Sequence, residues 1–293
     1  MTQHGLDEEP RAASLFQTDD NLPNLVVIGA MKCGTTSLHQ WLDQHPQVAM
    51  SRVKETNFFL ERRGGAELDR YRSLFNSAAA VRGESSTSYT KYPQRPGVPA
   101  RMRALIPDAR LVYILRDPVD RTLSHYLHAV QRSREKRPLA EALRSLDGNI
   151  YVDPSRYAMQ LEQFLEHYPR SQILVVATEE MEHEPQAVLN RIVHYLGIEA
   201  HRFDFGARAN VSQRRGVNNR LGQVAESYRA KRIGRRLPRP VIEFVKGVNA
   251  RLSRRVQRPD LDAHTRSRLV EYLEGDVRLL RQLTGSKFDR WSL

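Results

Sequence analysis

Residues 25–38 read LVVIGAMKCGTTSL. An apolar run ends at Gly29, Lys32 follows, and Gly34 opens a pair of threonines, after which apolar residues recur at helical spacing. A buried strand, a turn that needs glycine and a helix whose first amides face that turn are the parts of a phosphate-cradling loop. On the pattern G-x-x-x-x-G-K-[ST], residues 29–36 are G-A-M-K-C-G-T-T, with Thr35 at the lysine position and Lys32 moved inside the loop. In a nucleoside triphosphatase the lysine after the second glycine reaches the β- and γ-phosphates, and the hydroxyl helps hold magnesium. A lysine three residues earlier instead sits beside the group bonded to a single 5′-phosphate, whose oxygens the amides of Gly34, Thr35, Thr36 and Ser37 bind. Such a loop suits a phosphate ester or a mixed anhydride of phosphate and sulfate.

Working outward, strand-like runs alternate with helical segments. The strands are NLVVIGA, VAM, VRGES, RLVYILR and SQILVVA; helices are expected over about 35–45, 67–75, 118–132 and 156–167, and before IPDA. Apolar runs separated by helices mean parallel strands joined by crossovers and covered on both faces. The fold class is therefore α/β, a P-loop-like three-layer α/β/α arrangement with a central parallel sheet. A polar, aperiodic arm is expected over 1–21, then a single domain over 22–293 with a helical C-terminal part. Helical spacing covers 241–256 and 263–283, and Leu269, Leu273, Val277, Leu280 and Leu283 form one apolar stripe suited to core packing.

The 293 residues carry a formal net charge of +12, which invites a nucleic-acid reading. The charge is local. From Arg208 to Arg258 there are 15 Lys or Arg against Glu226 and Glu243, and the remainder is about neutral. One cysteine, Cys33, excludes an internal disulfide framework and a cysteine-built zinc site. The sequence shows no secretory signal and no apolar run long enough to span a bilayer, so a cytoplasmic location is expected, peripheral to the inner membrane surface if the basic region meets lipid.

A second phosphate motif lies at LVYILRDPVDRTLSHY, residues 111–126. A buried-looking strand ends at Arg116, Pro118 suits a first helical turn, Asp117 suits its cap, and Ser124 follows about two turns later. Arg116 offers a planar fork of donors to phosphate and Ser124 a hydroxyl. Two such motifs, each at the C-terminal end of a strand, lie where ligands of doubly wound sheets bind. Together they resemble the sulfotransferases that use 3′-phosphoadenosine 5′-phosphosulfate (PAPS), of the heparan-sulfate, bacterial type. GAMKCGTTSL is similar to the family's 5′-phosphosulfate loop, which implies donor binding by Lys32, Cys33, Gly34, Thr35, Thr36 and Ser37. R-D-P-x-x-R-x-x-S is similar to its 3′-phosphate motif, which implies Arg116 and Ser124. Arg214, Arg215 and Gly216 resemble the late basic-glycine loop over that phosphate, and a solvated basic loop explains them equally well.

SRVKETNFF resembles the family's K-E-x-x-F-F segment, which implies Glu55 as general base and places Lys54 near the sulfuryl group or acceptor; Phe58 and Phe59 suit the core. GESSTSY resembles G-E-x-[ST]-P-x-Y, with Thr87 where proline is usual; Glu84 is an acceptor-site, lysine-positioning or buried structural carboxylate. Tyr157 is an acceptor-site candidate on a helix whose spacing also fits packing. The ten histidines form no metal-ligand cluster, and none lies in the segment matching the histidine base of small-molecule sulfotransferases.

The resemblance implies a PAPS-dependent sulfotransferase that modifies a hydroxyl or amine of a small-molecule or glycan acceptor, a carbohydrate or glycolipid first, by in-line transfer with Lys32 stabilising the leaving group and no metal. One alternative is a P-loop kinase or nucleotide phosphotransferase, which lacks the lysine after Gly34. The other is a basic module for nucleic acid or anionic membrane built on 208–258. The preferred reading divides that region, part covering the 3′-phosphate and part attracting an anionic acceptor or membrane surface, with no specific nucleic acid.

Overall fold

A computed structural model describes residues 21–75, 78–206 and 261–293. The expected arm, Arg214, Arg215, Gly216, the 208–258 basic region and the 241–256 helix lie outside these residues. In chain order the elements are β1 (Leu25–Gly29), α1 (Thr35–Leu42), β2 (Val48–Met50), α2 (Ala66–Arg72), β3 (Val81–Ser85), α3 (Val98–Leu105), β4 (Arg110–Leu115), α4 (Pro118–Gln131), α5 (Leu139–Ala142), α6 (Tyr157–Leu165), β5 (Ile173–Ala177), α7 (Thr178–His183), α8 (Pro185–Leu196) and α9 (Ala263–Thr284). The chain divides into two compact units, 1–115 with 159–207 and 116–158 with 208–293.

The first unit carries the sheet, ordered β2-β3-β1-β4-β5, with every pair parallel. β1 lies at its centre, and the chain crosses to β2 and β3 on one side before returning to β4 and β5 on the other. This reversal is the topological switch point at which such sheets bind ligands. Leu25 to Ile28 and Leu111 to Leu115 are fully buried, as continuous apolar strands covered on both faces require. Asn24 sets the register at the strand starts: its amide oxygen accepts from Arg82 N (2.8 Å) and its carbonyl from Arg110 N (2.8 Å). β3 is buried although polar. Gly83 is needed there because a Cβ would lie 2.2 Å from Met50 Sδ.

The second unit buries its own apolar cluster. Val119, Leu123 and Tyr126 of α4 meet Leu139, Leu143, Tyr151 and Val152, together with Leu269 and Leu273 of α9. Within the expected α9 stripe, Leu269, Leu273, Val277 and Leu280 are fully buried and Leu283 is partly so. The short α5 and the α7–α8 pair were not among the sequence expectations. Among the described residues no helix is long and apolar enough to cross a membrane.

Candidate active site

The loop after β1 is shaped by its two glycines. Gly29 has φ 155°, and a Cβ there would meet Thr90 Oγ1 at 2.1 Å; Gly34 has φ 85°, and its Cβ would meet Met181 Cε at 2.9 Å. Lys32, between them, takes a left-handed φ of 76°. For a residue with a Cβ this conformation costs about 1–3 kcal/mol and persists only where the surroundings impose it. Ala30 N donates to Ile114 O (2.7 Å), Cys33 N to Ala30 O (3.2 Å), and Thr178 Oγ1 lies 2.8 Å from Cys33 O and 2.6 Å from Leu115 O. α1 then starts with Gly34 as N-cap, no side-chain cap and no acidic residue in its first turn. An α-helix leaves its first amides without intrahelical acceptors, so this end favours an anion.

Lys32, Thr36 and Ser37 are partly exposed along this stretch, whereas Thr35 is buried. Cys33, expected among the donor-binding residues, has a fully buried side chain; its amide and carbonyl bond within the protein, so it shapes the turn from inside.

The segment after β2 is built differently. Glu55 and Asn57 also have positive φ, 61° and 54°. Glu55 N donates to Ser85 O (2.8 Å), Asn57 Nδ2 to Glu55 O (3.1 Å) and Asn57 N to Ser86 Oγ (3.2 Å). Lys54 Nζ pairs with Glu55 Oε1 at 2.6 Å, with the two side chains 22% and 34% exposed. Thr87 N donates to Glu55 Oε2 (2.8 Å), and Thr87 Oγ1 lies 3.1 and 3.2 Å from the two carboxylate oxygens. His39 of α1 bonds through Nδ1 to Ser85 Oγ (2.9 Å). Burial, then the positive charge of Lys54, lower its pKa, with Glu55 and Asp43 acting in opposition. The expected core residues Phe58 and Phe59 are buried, and Phe58 stacks on Tyr71 at 4.0 Å.

Beneath this segment Glu84 is 0% exposed. Its carboxyl accepts from the hydroxyls of Thr56, Tyr71 (3.0 Å), Tyr89 (2.9 Å) and Ser86 (3.4 Å). Burial pushes it up to about 7, against the hydrogen bonds, which act downwards. Of its three sequence readings, the structure supplies the geometry of the buried structural carboxylate.

In the second unit Arg116, the residue after β4, pairs with Asp120 Oδ2 at 3.0 Å. Asp117 caps α4: its Oδ1 accepts from Asp120 N (2.9 Å) and its Oδ2 from Ser292 N (2.6 Å). Ser124 is partly buried on α4, one turn beyond Asp120, so Asp120 and Ser124 share a helix face. Tyr157 is 0% exposed; its hydroxyl donates to Arg116 O (2.8 Å) and its ring meets Trp291 at 5.7 Å. Tyr157, the acceptor-site candidate, thus has a buried side chain that braces the backbone of Arg116 from inside. The contacts of Thr87, His39 and Thr178 were not legible in the sequence because each meets its partner only through strand or helix packing. Among the described residues no group of three or more His, Cys, Asp or Glu is placed to hold a metal.

Residues 22–214 match the family model described as Sulfotransferase domain. The chain is 31% identical over 206 residues to human bifunctional heparan sulfate N-deacetylase/N-sulfotransferase 2, covering 62% of this chain and 23% of that protein. It is 27% identical over 240 residues to the Caenorhabditis elegans bifunctional heparan sulfate N-deacetylase/N-sulfotransferase 1, covering 77% and 28%. The chain thus spans about a quarter of the length of these relatives. A solved sulfotransferase from Alicyclobacillus acidocaldarius has the same fold, with TM-score 0.67, 24% identity, and coverage of 92% of this chain and 99% of that one. With two thirds of its length under the family model, the chain belongs to the sulfotransferase domain family.

Proposed function

We propose that the protein transfers a sulfuryl group from PAPS to a hydroxyl or amine of a carbohydrate or glycolipid acceptor. The observation that carries this reading is the loop after β1, where Lys32 is held at positive φ beside the uncapped, acid-free N-terminus of α1. The amides of Gly34 to Ser37 bind the 5′-phosphate, and the 3′-phosphate falls to Arg116 and Ser124. Glu55, one third exposed, accepts the acceptor's proton as its oxygen or nitrogen attacks sulfur in line with the departing phosphate oxygen. Lys32 stabilises the charge growing on that oxygen. Positioning and charge stabilisation provide the catalysis, as in phosphoryl transfer, and the scheme assigns no step to magnesium.

The acceptor class is supported by the Lys54–Glu55 segment and by relatives whose names specify heparan sulfate N-sulfotransferase. The 208–258 basic region would draw in an anionic acceptor or membrane surface. Calorimetric titration with 3′-phosphoadenosine 5′-phosphate (PAP) in the absence of magnesium tests the donor site; binding that weakens most in Arg116→Ala supports it. No binding, together with magnesium-dependent ATP binding, would replace it with a P-loop kinase. Radiolabelled transfer from PAPS to N-deacetylated heparosan, compared with N-acetylated heparosan, then separates amine from hydroxyl acceptors.

A further inference from the structure

The geometry points to Thr87 as the positioning residue of Glu55: we infer that it aims the base at the acceptor's proton. This rests on the reading of Glu55 as the base. Glu55 has its backbone fixed by Ser85 and Asn57, but that leaves its side-chain torsions undetermined. Lys54 is its neighbour in sequence and carries its charge on a flexible stem, so their 2.6 Å pair does not tie the carboxylate to the sheet. Thr87 does. It follows β3 closely, is 8% exposed, and brings both its amide and its hydroxyl to the carboxylate oxygens at 2.8, 3.1 and 3.2 Å.

An ionised carboxylate has about four acceptor positions. The Lys54 ammonium, the Thr87 amide and the Thr87 hydroxyl take three of them, which leaves one for the acceptor's proton. His39 of α1 also responds to this pair: its pKa is lowered by burial and by Lys54 and raised by Asp43 and Glu55, and its ring is held by Ser85 Oγ. Residues 85 to 87 thus hold the base by its backbone, the base by its carboxylate, and the nearby imidazole. Loss of the Thr87 hydroxyl therefore frees the carboxylate to leave the position that faces the acceptor while the backbone of Glu55 stays in place.

The test compares Thr87→Val, Thr87→Ser and Glu55→Gln in the full chain, with PAP binding as the check on folding. Rates are read from sulfate release with water as acceptor and from transfer to N-deacetylated heparosan. Thr87→Val should lower kcat about ten-fold, with the KM for PAPS unchanged. Thr87→Ser should restore the rate, and Glu55→Gln should lose about a hundred-fold or more. A wild-type rate in Thr87→Val beside an inactive Glu55→Gln overturns the role of Thr87 and leaves the base reading standing. Equal losses in both Thr87 variants would mean packing alone, and overturn it too. A fully active Glu55→Gln removes the base reading and this inference with it.

Discussion

The loop after β1 and the segment after β2 both hold a charged residue in a left-handed conformation, Lys32 in one and Glu55 in the other, but by different means. The first is a backbone device: two glycines take conformations or approaches closed to other residues, and the helix that follows begins without a side-chain cap. The second is a side-chain device, in which residues 55–57 are tied to Ser85, Ser86 and Thr87 at the end of β3. A backbone device is written in local sequence. A side-chain device becomes visible only when the strands pair.

The largest effects should come from the two charges. Glu55→Gln should lower kcat by about 10²–10⁴-fold, the usual contribution of a general base. Lys32→Ala should lower it by about 10²–10³-fold while PAP still binds. A Lys32 variant with normal turnover would show that the backbone device alone carries the chemistry, and single-turnover assays decide the matter.

Arg116→Ala comes next. It should weaken PAP binding by about 1.5–3 kcal/mol, the worth of hydrogen bonds to a charged group. Equal weakening by Lys32→Ala in calorimetry would contradict the division of labour between the two residues. Gly34→Ala breaks the backbone device directly. Its left-handed φ and the Met181 contact should cost roughly 1–2 kcal/mol in urea unfolding. An unchanged midpoint would mean that the loop tolerates a Cβ.

An effect of comparable size sharpens the side-chain half. Burial raises Glu84 from 4.5 to about 7, so the folded state binds a proton that the unfolded state has released. The resulting stability is complete below about 4.5, declines as the pH rises and is gone above about 7. Glu84→Gln, neutral throughout, should remove that decline, about 1–3 kcal/mol between pH 5 and 8 by chemical denaturation. A wild type equally stable at both pH values would show that the hydroxyl cage keeps Glu84 ionised.

The loop and sheet were legible because strand period, glycine spacing and helix capping are local: Asp117 caps α4, and the α9 stripe is buried, as its spacing predicts. Side-chain direction was not. Cys33 turns inward, and Tyr157 supports Arg116 from a buried position. Thr87 reads only as a departure from a usual proline, although its amide and hydroxyl both hold Glu55.

The sequence by itself therefore determined the α/β class, the order of the strand-turn-helix segments that begin at Leu25 and Arg110 and the displacement of lysine into the loop, because each depends on neighbours within a few residues. Tertiary structure alone decided which hydroxyls meet which carboxylates. Thr87 lies 32 residues from Glu55 and Ser85 46 from His39, and such contacts exist only once parallel strands and their crossover helices have set the register.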